Sequence, residues 1–160
     1  MIAKAHITPV LAALARGPAL VIPLVREVPA AQLQRRPAPG KWSVHEHACH
    51  LAAVQPVFDA RLDYMLSHAR PRIKPYLPEE RDPDELLKMD LVAALKRFHA
   101  QRTAFVHRLR QLTPAQWAIK AAHPEYAEYG IFIMCRHLAL HDSLHAYRIE
   151  ELRLSRAAKR

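Results

Sequence analysis

The sequence is poor in cysteine and glycine. It has two cysteines and three glycines in 160 residues. Cys49 and Cys135 lie too far apart in sequence to form a Cys-x-x-Cys pair. This composition excludes a disulfide framework and a zinc site built from thiolates. Because free cysteines are typical of a reducing compartment, we expect a cytoplasmic protein.

Long uninterrupted apolar runs are also lacking. Arg16 and three prolines break up the N-terminal region, where a signal peptide would need a continuous apolar segment. No window approaches the roughly 20 apolar residues that span a bilayer. We therefore expect a soluble protein that does not associate with a membrane.

Acidic residues are outnumbered. The chain has 24 Lys and Arg against 15 Asp and Glu, a formal net charge of +9. Such a charge favours anionic ligands in general. However, the basic residues are scattered, and no aromatic side chains lie between them in the pattern of a nucleic-acid binder. We do not expect nucleic acid as the partner.

The length and the 51% hydrophobic content suit one domain, residues 1–160, with a core of its own. Ser43 and Glu46 form a capping-box pattern, which predicts the start of a helix over about 43–68. Asp82 and Pro83 are a cap and a first helical residue, which predict a helix over 83–112.

Two further helices complete the chain. Helical spacing of apolar residues predicts a helix over 131–154. Thr8-Pro9, Gly17-Pro18 and Pro23 predict a kinked or broken helix over about 9–28. Four helices without an alternating strand pattern predict an all-α four-helix bundle. The connection between the second and third helices is long enough for a crossover that would make those helices parallel.

The stretch HLALHDSLH places His137, His141 and His145 four residues apart. Residues four apart lie about 40° apart around a helix, so either adjacent pair can point two imidazoles at one metal ion. The three side chains spread over about 80° around the helix axis, so they should not all bind one ion. A third ligand must come from another helix, and the candidates on the second helix are His45, His47 and His50.

The direction of the second and fourth helices selects among these sets. If they are antiparallel, His50 is level with His145 and one turn from His141. If they are parallel, His50 is level with about His137. The crossover connection thus favours His50, His141 and His145. Three neutral imidazoles leave a fourth position for water or a thiol, as in catalytic zinc sites. The alternative is chance, since a chain with 11 histidines readily produces pairs at this spacing.

Two motifs resemble those of a known family. Residues 36–51, RPAPGKWSVHEHACHL, and residues 141–149, HDSLHAYRI, are similar to the second-helix and fourth-helix motifs of the DinB/YfiT superfamily. The resemblance implies up-down-down-up topology, a homodimer, and a divalent metal, zinc or nickel, held by His50, His141 and His145. Some relatives use a low-molecular-weight thiol as co-substrate. Arg148 stands where the family often has glutamine.

Four other residues are candidates for contacting a small-molecule substrate or supporting the ligands. Asp142 is a candidate to orient a neighbouring histidine, and the alternative is that it faces solvent. Arg61 and Arg148 are candidates to bind an anionic thiol or carboxylate, although ion pairs with nearby acids are the alternative. His137 is the remaining histidine of the motif. Trp42 precedes the helix cap, and we expect it to pack on the end of the bundle.

These features give three functional hypotheses. The first is a metal-dependent enzyme of thiol S-transferase or hydrolase type. The second is a catalytically silent bundle that acts as a dimeric binding protein. The third, a basic protein associated with nucleic acid, has the least support from the sequence.

Overall fold

The structure is a computed structural model that describes residues 2–75 and 84–155. Four long helices dominate it, and the described residues contain no strand. The all-α four-helix bundle predicted from the sequence is therefore confirmed. The helices in chain order are α1 Lys4–Arg26, α2 Ala30–Leu33, α3 Val44–Ser67, α4 Leu91–Arg110, α5 Pro114–Trp117 and α6 Ile131–Leu154.

Side-chain contacts fix the relative directions of α3, α4 and α6. Gln55 of α3 bonds to Arg102 of α4, and Asp59 bonds further along to Arg108. The residue numbers rise together, so α3 and α4 are parallel. Between α3 and α6 they run in opposite senses, since His47 contacts His145 and His50 contacts His141. This antiparallel pairing places the histidines of both helices at the same level.

Helix α1 is longer than expected and is not broken. It begins at Lys4 instead of residue 9, and Pro9, Pro18 and Pro23 lie inside one assigned helix. Thr8 does not cap it, because the Thr8 hydroxyl donates to the carbonyl of Lys4 within the helix. Each proline removes one amide donor. The buried apolar face, which packs mainly against α6 and α4, continues on both sides of the prolines and maintains the helix. Its buried residues are Ile7, Val10, Leu14, Gly17, Pro18, Val21 and Val25.

The same helix corrects a second expectation. By length and composition alone, Lys4–Arg26 is apolar enough to cross a membrane. Core helices of soluble proteins pass the same test, and one such helix is weak evidence for a span. Leu14 and Val21 are fully buried in the core, while 28% of the apolar window as a whole is buried.

The start of α3 agrees with the predicted capping box. The Ser43 hydroxyl accepts from the Glu46 amide, and the Glu46 carboxylate accepts from the Ser43 amide at 2.8 Å. Arg36 also donates to this carboxylate at 3.0 Å. Burial raises the pKa of Glu46, but the hydrogen bonds from Arg36 and Ser43 outweigh it and lower the pKa overall. The anchored cap fixes the first turn of α3, where the histidines begin.

The start of α4 was wrongly placed. The sequence predicts a helix from residue 83, whereas α4 begins at Leu91, with the Asp90 carboxylate accepting from the Ala93 amide at 2.8 Å. Met89 is extended and separates α4 from a short 3₁₀ helix, Leu86–Lys88. Apolar spacing that continues across both elements hid the break. The proposed cap at Asp82 and Pro83 lies outside the described residues.

A buried ion pair joins the four long helices. Arg102 of α4 is 1% exposed and Asp142 of α6 is 3% exposed, and both guanidinium arms of Arg102 donate to the Asp142 carboxylate. The Arg102 Nε also donates to Gln55 of α3 at 2.7 Å. Gly17 of α1 lies against the pair, where an added Cβ would be 2.5 Å from an Asp142 oxygen. This pair orients the part of α6 that carries His141 and His145.

Candidate metal centre and adjoining cavity

Three histidines from α3 and α6 converge. His50 Nε2 lies 3.0 Å from His141 Nε2, which lies 3.1 Å from His145 Nε2. The ligand atoms of all three residues lie within 4.8 Å of one another. Four residues, or one helical turn, separate His141 from His145, and the antiparallel α3 brings His50 to their level. The structure thus brings together the three ligands predicted from the sequence, while their binding of a metal stays a prediction.

The environment keeps the imidazoles of His141 and His145 neutral. Burial, followed by the charge of Arg102, lowers the pKa of His141 to about 4. Burial, together with the neighbouring His141, His50 and His47, lowers the pKa of His145 to about 2. At neutral pH these two rings therefore carry no charge. Neutral imidazole nitrogens are the form that binds a metal.

The donor set fits a divalent metal ion. Zinc prefers imidazole nitrogen at about 2.0–2.1 Å, which places tetrahedral ligand atoms about 3.4 Å apart. The two separations that involve His141, 3.0 and 3.1 Å, are slightly shorter than this distance, and the ligand atoms of all three residues lie within 4.8 Å of one another. Without a cation or proton between them, the lone pairs of adjacent nitrogens repel each other. An ion at the centre relieves this repulsion.

His47 is a fourth member of the cluster. Its Nδ1 lies 2.8 Å from the Nδ1 of His145. When His145 uses Nε2 as a ligand, its Nδ1 carries the hydrogen and donates to His47. An outer hydrogen bond of this kind fixes the orientation of metal-binding histidines. Burial lowers the pKa of His47 to about 4, which keeps its Nδ1 available as an acceptor at neutral pH.

Trp42 covers the cluster. Its ring is tilted against His50 at a centroid distance of 4.8 Å and stacks on His145 at 5.9 Å. It also contacts the edge of His47 at 5.5 Å. The expectation that Trp42 packs only on the bundle end was therefore incomplete. The indole shields one side of the histidines from water.

Two candidate residues have other partners. The Asp142 carboxylate binds Arg102, so it supports α6 through the core ion pair. Arg148 is about half exposed and forms an ion pair with Glu151 at 2.6 Å. That pair is the alternative that the sequence left open for this arginine. Arg148 still affects the site electrostatically, because its charge contributes to the lowered pKa of His47.

The other two candidates, Arg61 and His137, line a cavity of about 190 Å³ beside the histidines. His50 and His141 form one end of it, and Arg61 lies 11 residues further along α3. The remaining lining residues are Val54, Val57, Phe58, His123, Glu125, Tyr126 and Tyr129. The cavity therefore connects the proposed ligands to a cationic side chain through mainly apolar and aromatic walls.

The loop before α6 supplies one wall. The Ile73 amide donates to the carbonyl of Ala122 at 2.8 Å, and the Ala121 amide donates to that of Tyr129 at 3.1 Å. These bonds hold residues 119–130 against the segment after α3. The rings of His123 and Tyr129 are tilted against each other within the loop at a centroid distance of 4.6 Å. Burial and then the charge of Arg61 lower the pKa of His123.

Sequence reasoning missed several site residues. His47 was one of three candidates on the second helix, and nothing in its spacing distinguishes its outer role. The spacing of Trp42 from His50 likewise does not indicate that it covers the cluster. Arg102 lies on a different helix and has no motif. Its one sequence signal is a charged residue between Phe98 and Phe105 on an apolar stripe, which indicates a buried cation with a partner.

A family model and a solved structure are similar to this chain. The family model described as the DinB superfamily matches residues 13–146. A solved structure of YfiT from Bacillus subtilis, described as a probable metal-dependent hydrolase with an unusual four-helix bundle topology, is similar with a TM-score of 0.80. The two chains are 22% identical, and the match covers 95% of this chain and 88% of YfiT. No curated protein matches the sequence.

Proposed function

This chain belongs to the DinB superfamily, and on that premise we propose that it is a divalent-metal-dependent enzyme that acts on a small molecule. The proposal rests on one observation above all. The imidazoles of His50, His141 and His145, from two helices, bring their ligand atoms within 4.8 Å of one another beside a cavity. A structural site would be closed by a fourth protein ligand, whereas three ligands leave a position for a reactant.

The proposed ligands are His50, His141 and His145, and zinc or nickel suits their nitrogen donors. When bound, such an ion lowers the pKa of water or of a thiol and polarises a carbonyl oxygen. His47 holds His145 in the orientation that directs Nε2 to the centre. Trp42 excludes water from one side, which leaves the cavity as the side for substrate.

The reaction is either hydrolysis or transfer to a low-molecular-weight thiol. Both need a nucleophile activated beside an electrophilic carbon, so the same centre serves either. The description of YfiT as a probable metal-dependent hydrolase favours water as the nucleophile. Product analysis of the metal-loaded protein with and without added thiol separates the two, because only transfer yields a thioether or thioester.

Metal content tests the proposal directly. We expect about one divalent ion per chain in protein purified without a tag or added metal. Replacement of His50, His141 or His145 by alanine should abolish it, since two imidazoles hold the ion far more weakly. His107→Ala is the matched control, because His107 is an exposed histidine on α4. Elemental analysis of all five proteins, after size-exclusion chromatography, gives the answer.

Retention of metal by the three ligand variants would contradict the site. Absence of metal from the wild type, with no uptake of added zinc or nickel, would contradict the enzyme proposal. In that case the silent dimeric binding protein becomes the better description.

We also propose that the protein is a cytoplasmic homodimer. Support comes from α6, where four large apolar side chains on one stripe are 53–64% exposed. They are Leu140, Leu144, Tyr147 and Leu154. Large apolar stripes of this kind mark protein interfaces. Light scattering should give about twice the chain mass of 18.3 kDa, and a Leu144→Glu variant should give the monomer mass.

A further inference from the structure

Arg61 is a cation with neutral hydrogen-bond partners. Its Nη1 donates to the Tyr129 hydroxyl at 3.4 Å and its Nη2 to the carbonyl of Lys74 at 3.0 Å. In the described parts of the chain, Arg61 forms no ion pair, unlike Arg102, Arg108 and Arg148. The planar guanidinium has five donors, so these two bonds leave donors for a ligand.

The surroundings restrict where such a ligand can lie. Arg61 is half-buried and lines the cavity, and its guanidinium carbon lies 5.8 Å from the centre of the Phe58 ring. Glu125, the one carboxylate among the described lining residues, is exposed and does not reach Arg61. The guanidinium is therefore a positive charge on a cavity wall that is partly shielded from water, where a carboxylate binds more tightly than in open water.

Two members of the histidine cluster, His50 and His141, also line the cavity. His50 and Arg61 are the first and last residues of α3 that line it, 11 residues or about 16 Å of rise apart. The Arg61 guanidinium lies over the ring of Phe58, about one turn earlier in α3, so its charge is displaced toward the His50 side. Between them the walls are Val54, Val57 and Phe58 from α3, faced by the tyrosines of the loop before α6.

From this arrangement we propose that the substrate is a small organic acid, whose carboxylate binds Arg61 and whose reacting carbon lies at His50 and His141. An apolar or aromatic segment of the substrate connects the two ends and packs on the cavity walls. This inference rests on the proposed function for the chemistry at the histidines. The binding of a carboxylate by Arg61 does not depend on it.

Binding of a matched pair of probes tests the inference. 3-Phenylpropionate and 3-phenylpropanamide share a shape and differ in charge, and their affinities can be measured by calorimetry or ligand-observed NMR. We expect the acid to bind at least about tenfold more tightly than the amide, as charge-assisted hydrogen bonds allow. The measurement is made on the protein as purified and again after chelation, because a carboxylate bound to metal would lose affinity on chelation.

Two variants of Arg61 test whether its charge binds the carboxylate. Arg61→Gln should reduce the affinity for the acid about tenfold and leave that for the amide unchanged, whereas Arg61→Lys should retain most of the preference. The matched control is Arg136→Gln. Arg136 is exposed on α6 and also lies over a phenyl ring, that of Phe132, but it lines a different cavity. This variant should bind both probes like the wild type.

Several outcomes would overturn the inference. They are equal affinity for acid and amide in the wild type, an unchanged acid affinity in Arg61→Gln, an equal loss in Arg136→Gln, or no binding of the acid at 10 mM or below, a concentration about ten-thousandfold above a micromolar affinity. The comparison of the two probes in the wild type does not depend on any variant folding.

Failure here is distinguishable from failure of the proposed function. Arg61→Gln should keep the metal content of the wild type, because Arg61 is not a ligand. If the three histidine variants lose metal but the protein shows no preference for the acid that depends on Arg61, the metal site is supported and the proposed substrate class is wrong. If no metal binds but the acid preference is present and sensitive to Arg61, the anion site stands and the enzyme proposal fails.

Discussion

Acid should destabilise the metal-free protein through its buried histidines. The pKa of His47 and of His141 lies at about 4 in the folded chain, and that of His145 lies lower still. In the unfolded chain a histidine titrates near 6.5. As the pH falls below about 6.5, the unfolded state therefore binds protons that the folded state does not. Stability is lost from that pH downward, until the folded histidines are protonated as well.

The size of the effect follows from the pKa difference. At pH 5.0 the unfolded pKa is about 1.5 units above the pH, which corresponds to about 2 kcal/mol per histidine. The folded pKa of about 4 still lies below this pH, so the folded form of His47 or His141 gains little from protonation. Replacement of one of the three by glutamine removes one such contribution.

The assay is urea unfolding followed by circular dichroism at pH 7.5, 6.5, 5.5 and 5.0 in the presence of a chelator. Between pH 7.5 and 5.0, the wild type should lose about 2 kcal/mol more than His47→Gln or His141→Gln. His107→Gln, which replaces an exposed histidine, should show the pH dependence of the wild type. Taking differences between variants cancels the contribution of carboxylates such as Glu46. Identical pH dependence in all four proteins would refute the argument.

Three further predictions concern the supports of the site. Arg102→Met should cost about 3–5 kcal/mol in unfolding free energy, because the buried Asp142 carboxylate loses its partner, while the double variant with Asp142→Leu should recover most of it. An unrecovered double variant would show that the charge pairing is not the cause. Gly17→Ala should destabilise the chain by about 1–3 kcal/mol through overpacking against Asp142, although alanine is the better helix former, and thermal unfolding measures this. His47→Gln should weaken zinc binding about tenfold in a competition titration with a chelator, since His145 loses its outer hydrogen bond. Unchanged affinity would mean that His47 does not position His145.

The errors in the predicted helices have a common origin. The cap pattern at Asp82 and Pro83 placed the helix start too early, and the apolar stripe, which continues from the 3₁₀ helix at Leu86–Lys88 into α4, did not reveal the break. In α1 the prolines were expected to kink or break the helix, and the helix is unbroken. Packing of its apolar face against α4 and α6 outweighs the hydrogen bonds that the prolines remove. Local sequence signals indicate the free-energy cost of a conformation. They do not indicate the tertiary packing with distant residues that compensates for this cost.

What the sequence determined by itself is local in character. The capping box at Ser43, the four-residue spacing of His141 and His145, and the position of His50 about two turns after Ser43 are set by helical geometry. The sequence therefore predicts which three imidazoles converge once the helix directions are specified.

Tertiary structure alone decided the rest. Trp42 over the cluster, the contact of His47 with His145, and the Arg102 and Asp142 ion pair join residues 40 to 103 positions apart. No periodicity connects such positions, because each contact depends on the rotation and level of two packed helices or of a helix and its preceding loop. Within residues 2–75 and 84–155, the absence of an acidic partner for Arg61 has the same origin. A sequence shows that a charge exists, and only the packed chain shows whether another charge reaches it.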